Sequence, residues 1–122
     1  MNKQRTEELA KEMLGRIADK WSLLVIEELS GRGTLRFSRL MEHVSGISQK
    51  MLTKTLRQME RDGLVTRTVY AEVPPRVDYA LTNLGESLGE AVCGIWIWAQ
   101  NHVEEVERAR RAFAGKQRRA AS

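Results

Sequence analysis

Residues 45–64 constrain the fold of this chain more than any other segment. Their apolar side chains recur at the spacing of one helical face, so they predict an amphipathic helix with a capping serine at its start and Gly63 at its end. The opposite face has no acid before Glu60 and carries Gln49, Lys50, Thr53, Lys54, Arg57 and Arg61. Lys and Arg suit phosphates and guanine edges, and Gln suits adenine edges. This face therefore has the composition of a helix that reads DNA, although an ordinary solvated helix face has a similar one.

The segments before this helix predict a partner for it. Helices are expected at 7–17 and 21–29, the second ended by the glycines of 30–33, and residues 34–37 read as a short extended piece. Ser38 is predicted to cap a brief helix that runs to Val44. A tight turn at 45–47 contains a glycine, and Ser48 caps the next helix. Two helices joined by such a turn indicate a helix-turn-helix.

After Gly63 the apolar period changes from that of a helix to that of a strand. Residues 65–70 and 77–81 are rich in β-branched side chains and predict two strands. Between them, Pro74 and Pro75 remove backbone donors and stiffen the loop. The pattern predicts a hairpin with an ordered tip, and a hairpin placed directly after a helix-turn-helix is a wing.

A long last helix is predicted to follow the wing. Thr82 or Asn83 caps it, and Asn83 and Glu86 stand at capping-box spacing. Residues 115–122 are basic and rich in small side chains, which indicates a disordered tail. The expected fold is mainly α with a small β-hairpin (α+β): one winged helix-turn-helix domain over 1–114, with a DNA-binding core at about 20–82 and dimerisation helices at both ends.

Charge is concentrated in the middle of the chain. The protein has 122 residues and a net charge of +4. Residues 31–81 carry nine bases and five acids, whereas the segments on either side are nearly balanced. A basic middle between balanced ends favours a polyanion-binding face over a generally basic protein.

Several function classes lack the residues that they need. Cys93 is the only cysteine, and His43 and His102 lie far apart, so neither a disulfide framework nor a metal site is predicted. No catalytic constellation and no cofactor motif occurs. The N-terminus has no signal-peptide core, and the apolar run at 92–99 is too short for a bilayer. A cytoplasmic protein without membrane association is the default expectation.

The motifs together resemble the HxlR-type family of bacterial winged helix-turn-helix transcription regulators. The matching segments are 20–26, 36–40, 46–53, 56–65 and 73–82, which include the Gly46 turn and the Pro74-Pro75 wing. The resemblance implies a homodimer that binds operator DNA and usually represses transcription. Many members carry a sensing cysteine just before the segment that matches Lys20-Trp21, and residues 1–20 contain none. Cys93 is instead expected to be a buried structural cysteine.

The resemblance and the helix pattern together name the DNA-binding residues. Gln49, Lys54 and Arg57 are predicted to read bases, while Ser48, Lys50 and Thr53 hold the DNA backbone; Arg61 lies too far along the helix. By resemblance, Arg76 approaches the minor groove or an adjacent phosphate, and the alternative is a surface pair with Glu72 or Asp78. Arg36 and Arg39 are candidates for phosphate contacts, with a plain surface role nearly as well supported.

The last helix has apolar residues on more than one side and therefore needs two partners. A symmetric dimer is the simplest solution, and its predicted interface consists of Leu88, Val92, Ile95, Trp96, Ala99 and Val103. The tryptophans, with Met13 and Cys93, are candidates to line a pocket for a small-molecule effector of unknown identity. The alternative for that stripe is plain core.

The sequence leaves one main function and one alternative. The main one is a sequence-specific regulator, a repressor, that binds double-stranded DNA as a homodimer on a pseudo-palindromic operator. The alternative is a winged-helix protein-interaction module without DNA binding. The helix face from Ser48 to Gln58 argues against the alternative, because an interaction module would favour exposed apolar or mixed side chains there. A small enzyme is not expected.

Overall fold

The computed structural model describes residues 2–121 of the chain. Five helices and three strands follow one another in the order α1 (Lys3–Ala18), α2 (Lys20–Arg32), β1 (Leu35–Arg36), α3 (Phe37–His43), α4 (Gln49–Arg61), β2 (Val65–Tyr70), β3 (Arg76–Leu81) and α5 (Asn83–Ala121). The strands form one antiparallel sheet with the order β1-β3-β2. The helix-turn-helix and the wing predicted from the sequence are therefore both present, as α3–α4 and β2–β3.

The core lies beneath α4. On its inner face Leu52, Thr55, Leu56 and Met59 are all buried. They pack with buried side chains from the other elements of the winged part, among them Val25, Ile26, Leu29, Leu40, Val44, Ile47, Leu64, Val65 and Tyr79. Burying one such leucine contributes about 2 kcal/mol to folding. Because the inner face of α4 is fixed in this core, the opposite face of the helix points away from it.

Both ends of α4 are fixed by the residues that the sequence predicts. The Ser48 hydroxyl oxygen accepts a hydrogen bond from the Met51 amide at 3.0 Å, which satisfies one of the free donors of the first turn. At the other end Gly63 has a φ of 75°, and the Leu64 and Gly63 amides donate to the Met59 and Glu60 carbonyls. This pair of bonds is a Schellman motif, which requires the left-handed conformation that glycine adopts without strain.

The third strand is the main addition to the predicted architecture. The wing register runs from Val65 opposite Leu81 to Tyr70 opposite Arg76. On the other side of β3, Leu35 pairs with Tyr79 and Arg36 with Asp78. The sequence predicts only an extended piece at 34–37, because two residues are too few to show a strand period. This pairing ties the start of α3 to the base of the wing.

The predicted cap of α3 is wrong, whereas one of the two caps predicted for α5 is confirmed. Ser38 does not cap α3; Arg36 holds that position without a side-chain cap bond, and the helix begins at Phe37 as soon as the β1 pairing ends. At α5 the Thr82 hydroxyl oxygen accepts from the Gly85 amide at 3.0 Å and its hydroxyl donates to the Gly63 carbonyl at 2.6 Å. Thr82 is therefore the cap, as one of the two predicted possibilities, and the expected Asn83 capping box does not form.

Gly85 explains how α5 begins so close to the end of α4. A Cβ atom at this position would overlap the Leu64 carbonyl oxygen of the backbone. Only glycine allows the first turn of α5 to approach that carbonyl. The glycine that weakens the helix in isolation thus permits its contact with the wing base.

The structure extends α5 through Ala121, where the sequence predicts a disordered tail at 115–122; Ser122 lies outside the described residues. The chain divides into two compact units, one through Glu90 and one from Ala91 onward. The first unit contains every element from α1 to β3. The second consists of the distal part of α5.

Candidate nucleic-acid interface

The outer side of α4 presents a continuous set of exposed polar side chains. We name Gln49, Lys50, Thr53, Lys54 and Arg57 the α4 polar face; all five are exposed. Residues four apart lie one above the other on a helix. Gln49, Thr53 and Arg57 therefore form one row, and Lys50 and Lys54 form the row beside it. The face combines amide, hydroxyl and cationic groups without a carboxylate.

A broad cavity of about 880 Å³ lies between α4 and the wing. The row of Gln49, Thr53 and Arg57 lines its α4 side, whereas Lys50 and Lys54 are not among its lining residues. Glu60, near the end of α4, lines the cavity as well. The remaining lining residues come from the start of α3 and from the wing: Arg36, Phe37, Ser38, Arg67, Glu72, Pro74, Pro75, Arg76, Val77 and Tyr79. Four arginines against two glutamates give this concavity a positive charge, which suits an anionic backbone.

Arg76 is held firmly at the wing. Its Nε and one terminal nitrogen donate to the two carboxylate oxygens of Asp78 at 3.0 and 2.8 Å. The guanidinium carbon also lies 4.7 Å from the centroid of the Tyr70 ring, a distance at which cation–π attraction operates. The partner is thus Asp78, one of the two surface partners considered for Arg76, and the guanidinium keeps 32% of its side chain exposed. Arg76 still lines the cavity, on its wing side.

The Asp78 carboxylate is the buried member of this pair, with a side chain only 6% exposed. The hydrogen bonds from Arg76 lower the pKa of Asp78, against the opposing effect of burial, and the charge of Arg36 lowers it further. The same hydrogen bonds raise the pKa of Arg76. Both groups are therefore charged at neutral pH, and one carboxylate sits between two arginines of the predicted DNA surface.

Arg36 stands where β1 meets α3. It is exposed, lies opposite Asp78 in the β1–β3 register and lines both the cavity beside α4 and a smaller one of about 580 Å³ beside α3. Arg39, the other candidate from this region, pairs with Glu42 at 3.2 Å on the surface. The structure thus places Arg36, but not Arg39, on the same cavity as Gln49, Thr53 and Arg57.

Two other predicted positions on or near α4 have local partners. The Ser48 hydroxyl caps the helix, as described, and remains exposed. Arg61 lies 3.5 Å from the Asp62 carboxylate, at the last residue of α4 and beyond the α4 polar face. Arg16 of α1 also reaches Asp62, at 3.4 Å, so this end of α4 is braced by α1.

Sequence reasoning missed Arg67. This residue of β2 is exposed, lies opposite Tyr79 and lines the cavity. Its signal is weak, because a single arginine in a strand is ordinary. Only the pairing of β2 with β3 places it on the same cavity as Arg57.

The predicted dimer residues divide into two groups. Leu88 packs against the core of the winged part and Val92 is only 4% exposed. Side chains that are largely covered within one chain have little area to offer a partner, so these two contribute less to the predicted interface than the others. In contrast, Ile95, Trp96 and Val103 are about half exposed, and Ala99 is exposed as well. The apolar period along α5 is the same in both groups, so the sequence does not separate them.

Cys93 is an exposed free cysteine, which corrects the expectation of a buried one. Trp96 and Trp98 are 54% and 56% exposed, so they are not ordinary core within one chain. The Trp98 ring stacks on His102 with centroids 4.6 Å apart. The effector pocket expected near these residues and Met13 stays a prediction.

Two features are absent from residues 2–121. No group of three or more His, Cys, Asp or Glu side chains in this range is arranged to hold a metal ion. No helix in the same range is long and apolar enough to cross a membrane.

A recognition-type helix with an exposed polar face, a preceding short helix and a basic wing define a winged helix-turn-helix protein of the DNA-binding class. Comparison with known proteins makes this specific. The model of the HxlR-like helix-turn-helix family matches residues 16–107, and the chain belongs to this family. It is a DNA-binding transcriptional regulator, and its family and relatives are not enzymes.

Individual relatives agree with this assignment. The uncharacterized HTH-type transcriptional regulator YtfH of Escherichia coli (strain K12) is 38% identical over 97 residues, covering 80% of this chain and 76% of that protein. The solved structure of the redox regulator HypR in its reduced form is 33% identical with a TM-score of 0.71, covering 81% of this chain and 97% of that one. Reduced YodB from B. subtilis is 34% identical with a TM-score of 0.65, covering 81% and 91%.

Proposed function

We propose that this chain is a homodimeric repressor that binds a pseudo-palindromic operator with α4 in the major groove. The α4 polar face carries this proposal, because five exposed polar side chains without an acid stand on a helix whose opposite face is buried. The major groove is wide enough for a helix and displays a distinct pattern for each base pair. Because the core fixes its inner face, α4 is able to present its polar side chains to DNA without a further folding step.

The chemistry of each side chain, rather than the row in which it stands, supports a division of the α4 polar face into residues that read bases and residues that hold the DNA backbone. Gln49 and Arg57 belong to the row that faces the wing, and their amide and guanidinium groups suit adenine and guanine edges. Thr53 shares that row, and its short hydroxyl suits a backbone phosphate. Lys50 and Lys54 stand in the neighbouring row, where Lys50 is proposed to hold the backbone and Lys54 to reach a base.

The wing is proposed to hold the adjacent DNA backbone. Arg36 and Arg67 offer exposed guanidinium groups on opposite sides of β3. Arg76 keeps part of its side chain exposed while Asp78 fixes its direction. A fixed guanidinium loses less side-chain entropy on binding than a free one.

Dimerisation is proposed to occur through the distal part of α5. Ile95, Trp96, Ala99 and Val103 fall within an arc of about 100° at the helical spacing. They are exposed in the single chain, and an apolar strip of this kind marks an interaction surface. Two-fold pairing would present two α4 helices to two half-sites of one operator.

Variants of the α4 polar face test whether this helix reads DNA. Gln49→Ala and Arg57→Ala are each expected to cost about 1–3 kcal/mol of discrimination between operator and scrambled duplexes. Lys50→Ala is expected to weaken binding to both duplexes equally and to lower the salt slope by about one. Titrations of each duplex at several salt concentrations measure both quantities.

Lys11→Ala is the matched control for charge, because Lys11 is exposed on α1 and lies outside the proposed interface. Its binding should equal that of the unmodified protein. If the three α4 variants bind both duplexes as well as the unmodified chain, α4 is not the DNA-reading element and the interaction-module alternative gains support.

A further inference from the structure

The end of α5 carries a concentration of positive charge that the proposed operator contact does not use. After Glu107 the chain contains six bases and no acid: Arg108, Arg110, Arg111, Lys116, Arg118 and Arg119. The structure keeps this segment helical through Ala121. The family match ends at residue 107, so the basic segment is additional to the part that this chain shares with its family.

Helical geometry gathers these charges on one side. At about 100° per residue, all the bases except Arg110 fall within an arc of about 160°. From Arg108 to Arg119 the array extends over about 16 Å. Duplex DNA carries one phosphate charge per roughly 1.7 Å of its axis, so a rod of this length has several phosphates within reach.

Local roles account for only part of the array. Basic residues at a helix C-terminus complement the helix dipole, but this effect falls off within the last turn. The dipole effect accounts for Arg118 and Arg119 but not for Arg108, Arg110 or Arg111. Arg119 also donates a hydrogen bond to the Gly115 carbonyl at 3.5 Å. Within the described residues those three make no ion pair, and Arg108 and Arg111 repel each other at i,i+3 spacing.

The rest of the segment favours DNA over a lipid surface. The uncharged residues from 109 to 120 are four alanines, one glycine, Gln117 and a single large apolar residue, Phe113. Helices that lie in a membrane interface need a broad face of bulky apolar residues. The apolar surface of this segment is too small for binding at a membrane interface, whereas its positive charge matches a phosphate backbone.

We propose that residues 108–119 form a second, sequence-independent contact with double-stranded DNA, on phosphates outside the base pairs that α4 reads. The inference rests on the proposed function, since it assumes a chain already held on DNA. Contacts to phosphates add affinity and salt dependence but no sequence preference. The segment therefore raises the affinity of the protein for any duplex long enough to reach it.

Neutralising the first three arginines tests this proposal. The triple variant R108Q/R110Q/R111Q keeps helix propensity, because glutamine is a good helix former. On a random-sequence duplex its slope of log affinity against log salt is expected to fall by about two to three per bound chain. The ratio of operator to scrambled affinity should stay unchanged, and circular dichroism should show the same helix content.

Two further variants complete the experiment. K3Q/R5Q/K11Q removes three exposed bases from α1 and should keep the original slope, which separates local contact from net charge. R108K/R110K/R111K preserves charge and should also keep the slope. If R108Q/R110Q/R111Q binds duplexes with the original slope while operator preference persists, the second contact is refuted and the proposed function stands. A loss of binding to phosphatidylserine vesicles with an unchanged DNA slope would likewise overturn the proposal, in favour of lipid.

Discussion

At the scale of single residues, Asp78 organises the charged part of the wing. Its carboxylate accepts two hydrogen bonds from Arg76 while its side chain is nearly covered, and it lies opposite Arg36 across the sheet. Two parallel bonds fix the guanidinium plane more firmly than a single ion pair does. Asp78 is thus a positioning residue for Arg76, which lines the cavity beside α4.

The lowered pKa of Asp78 makes its contribution to stability depend on pH. A carboxylate whose pKa is lower in the folded chain stabilises that state above the unfolded value, here about 3.8, and loses the effect as pH falls through the folded pKa. Asp78→Asn should therefore lower the free energy of unfolding at neutral pH, and the difference from the unmodified chain should shrink in acid below pH 3.8. Urea titrations of both proteins at neutral pH and below pH 3.8 measure these free energies of unfolding.

Glu42→Gln is the control, because its ion pair with Arg39 leaves both side chains 62% exposed and exposed pairs contribute little. Its stability should stay near that of the unmodified chain at both pH values. An Asp78→Asn protein as stable at neutral pH as the unmodified chain would show that the pair with Arg76 does not stabilise the wing.

Single residues also show what sequence is able to predict. Ser48 and Gly63 act through neighbours a few positions away, so local patterns predicted both ends of α4 correctly. The sequence predicts that Arg76 reaches outward to DNA and gives its pairing with Asp78 only as an alternative. The two residues lie two apart on one strand and thus on the same face, but the stack on Tyr70 depends on the β2–β3 register, which the sequence does not determine.

At the scale of elements, periodicity predicted the helices and the wing because each buries one face. It did not predict β1, whose two residues pair with a strand more than forty positions later. It also did not separate the two parts of α5. Leu88 and Val92 continue the same apolar period as Val103, but they are covered within the chain whereas Val103 is half exposed.

The exposed part of α5 yields a prediction about assembly. Val103→Lys places a charge in the proposed apolar interface, where an unpaired charge is costly to bury. Sedimentation should show dimers for the unmodified chain at micromolar concentration and a shift toward monomers for the variant. Asn101→Lys, an exposed change on the opposite side of the helix, should leave the dimer intact. A folded monomer in the unmodified chain at that concentration would contradict the proposed interface.

At the scale of the whole molecule, the proposed function joins a reading helix to a dimer of defined spacing. The family match and the fold make the chain a DNA-binding regulator. Sequence reasoning reached that class because its motifs are local. An operator and a dimer depend on partners outside the chain, so a single sequence carries no local motif that specifies either of them.

The most direct test is selection of bound duplexes from a randomised pool, followed by footprinting of the enriched sequence. The account predicts a single enriched motif made of two inverted half-sites, with centres about 10 base pairs or a multiple apart and protection in successive major grooves. Arg57→Ala should blur the same positions in both half-sites. A pool that shows no enrichment, or a motif unchanged by every substitution in the α4 polar face, would contradict the central claim that α4 reads operator DNA.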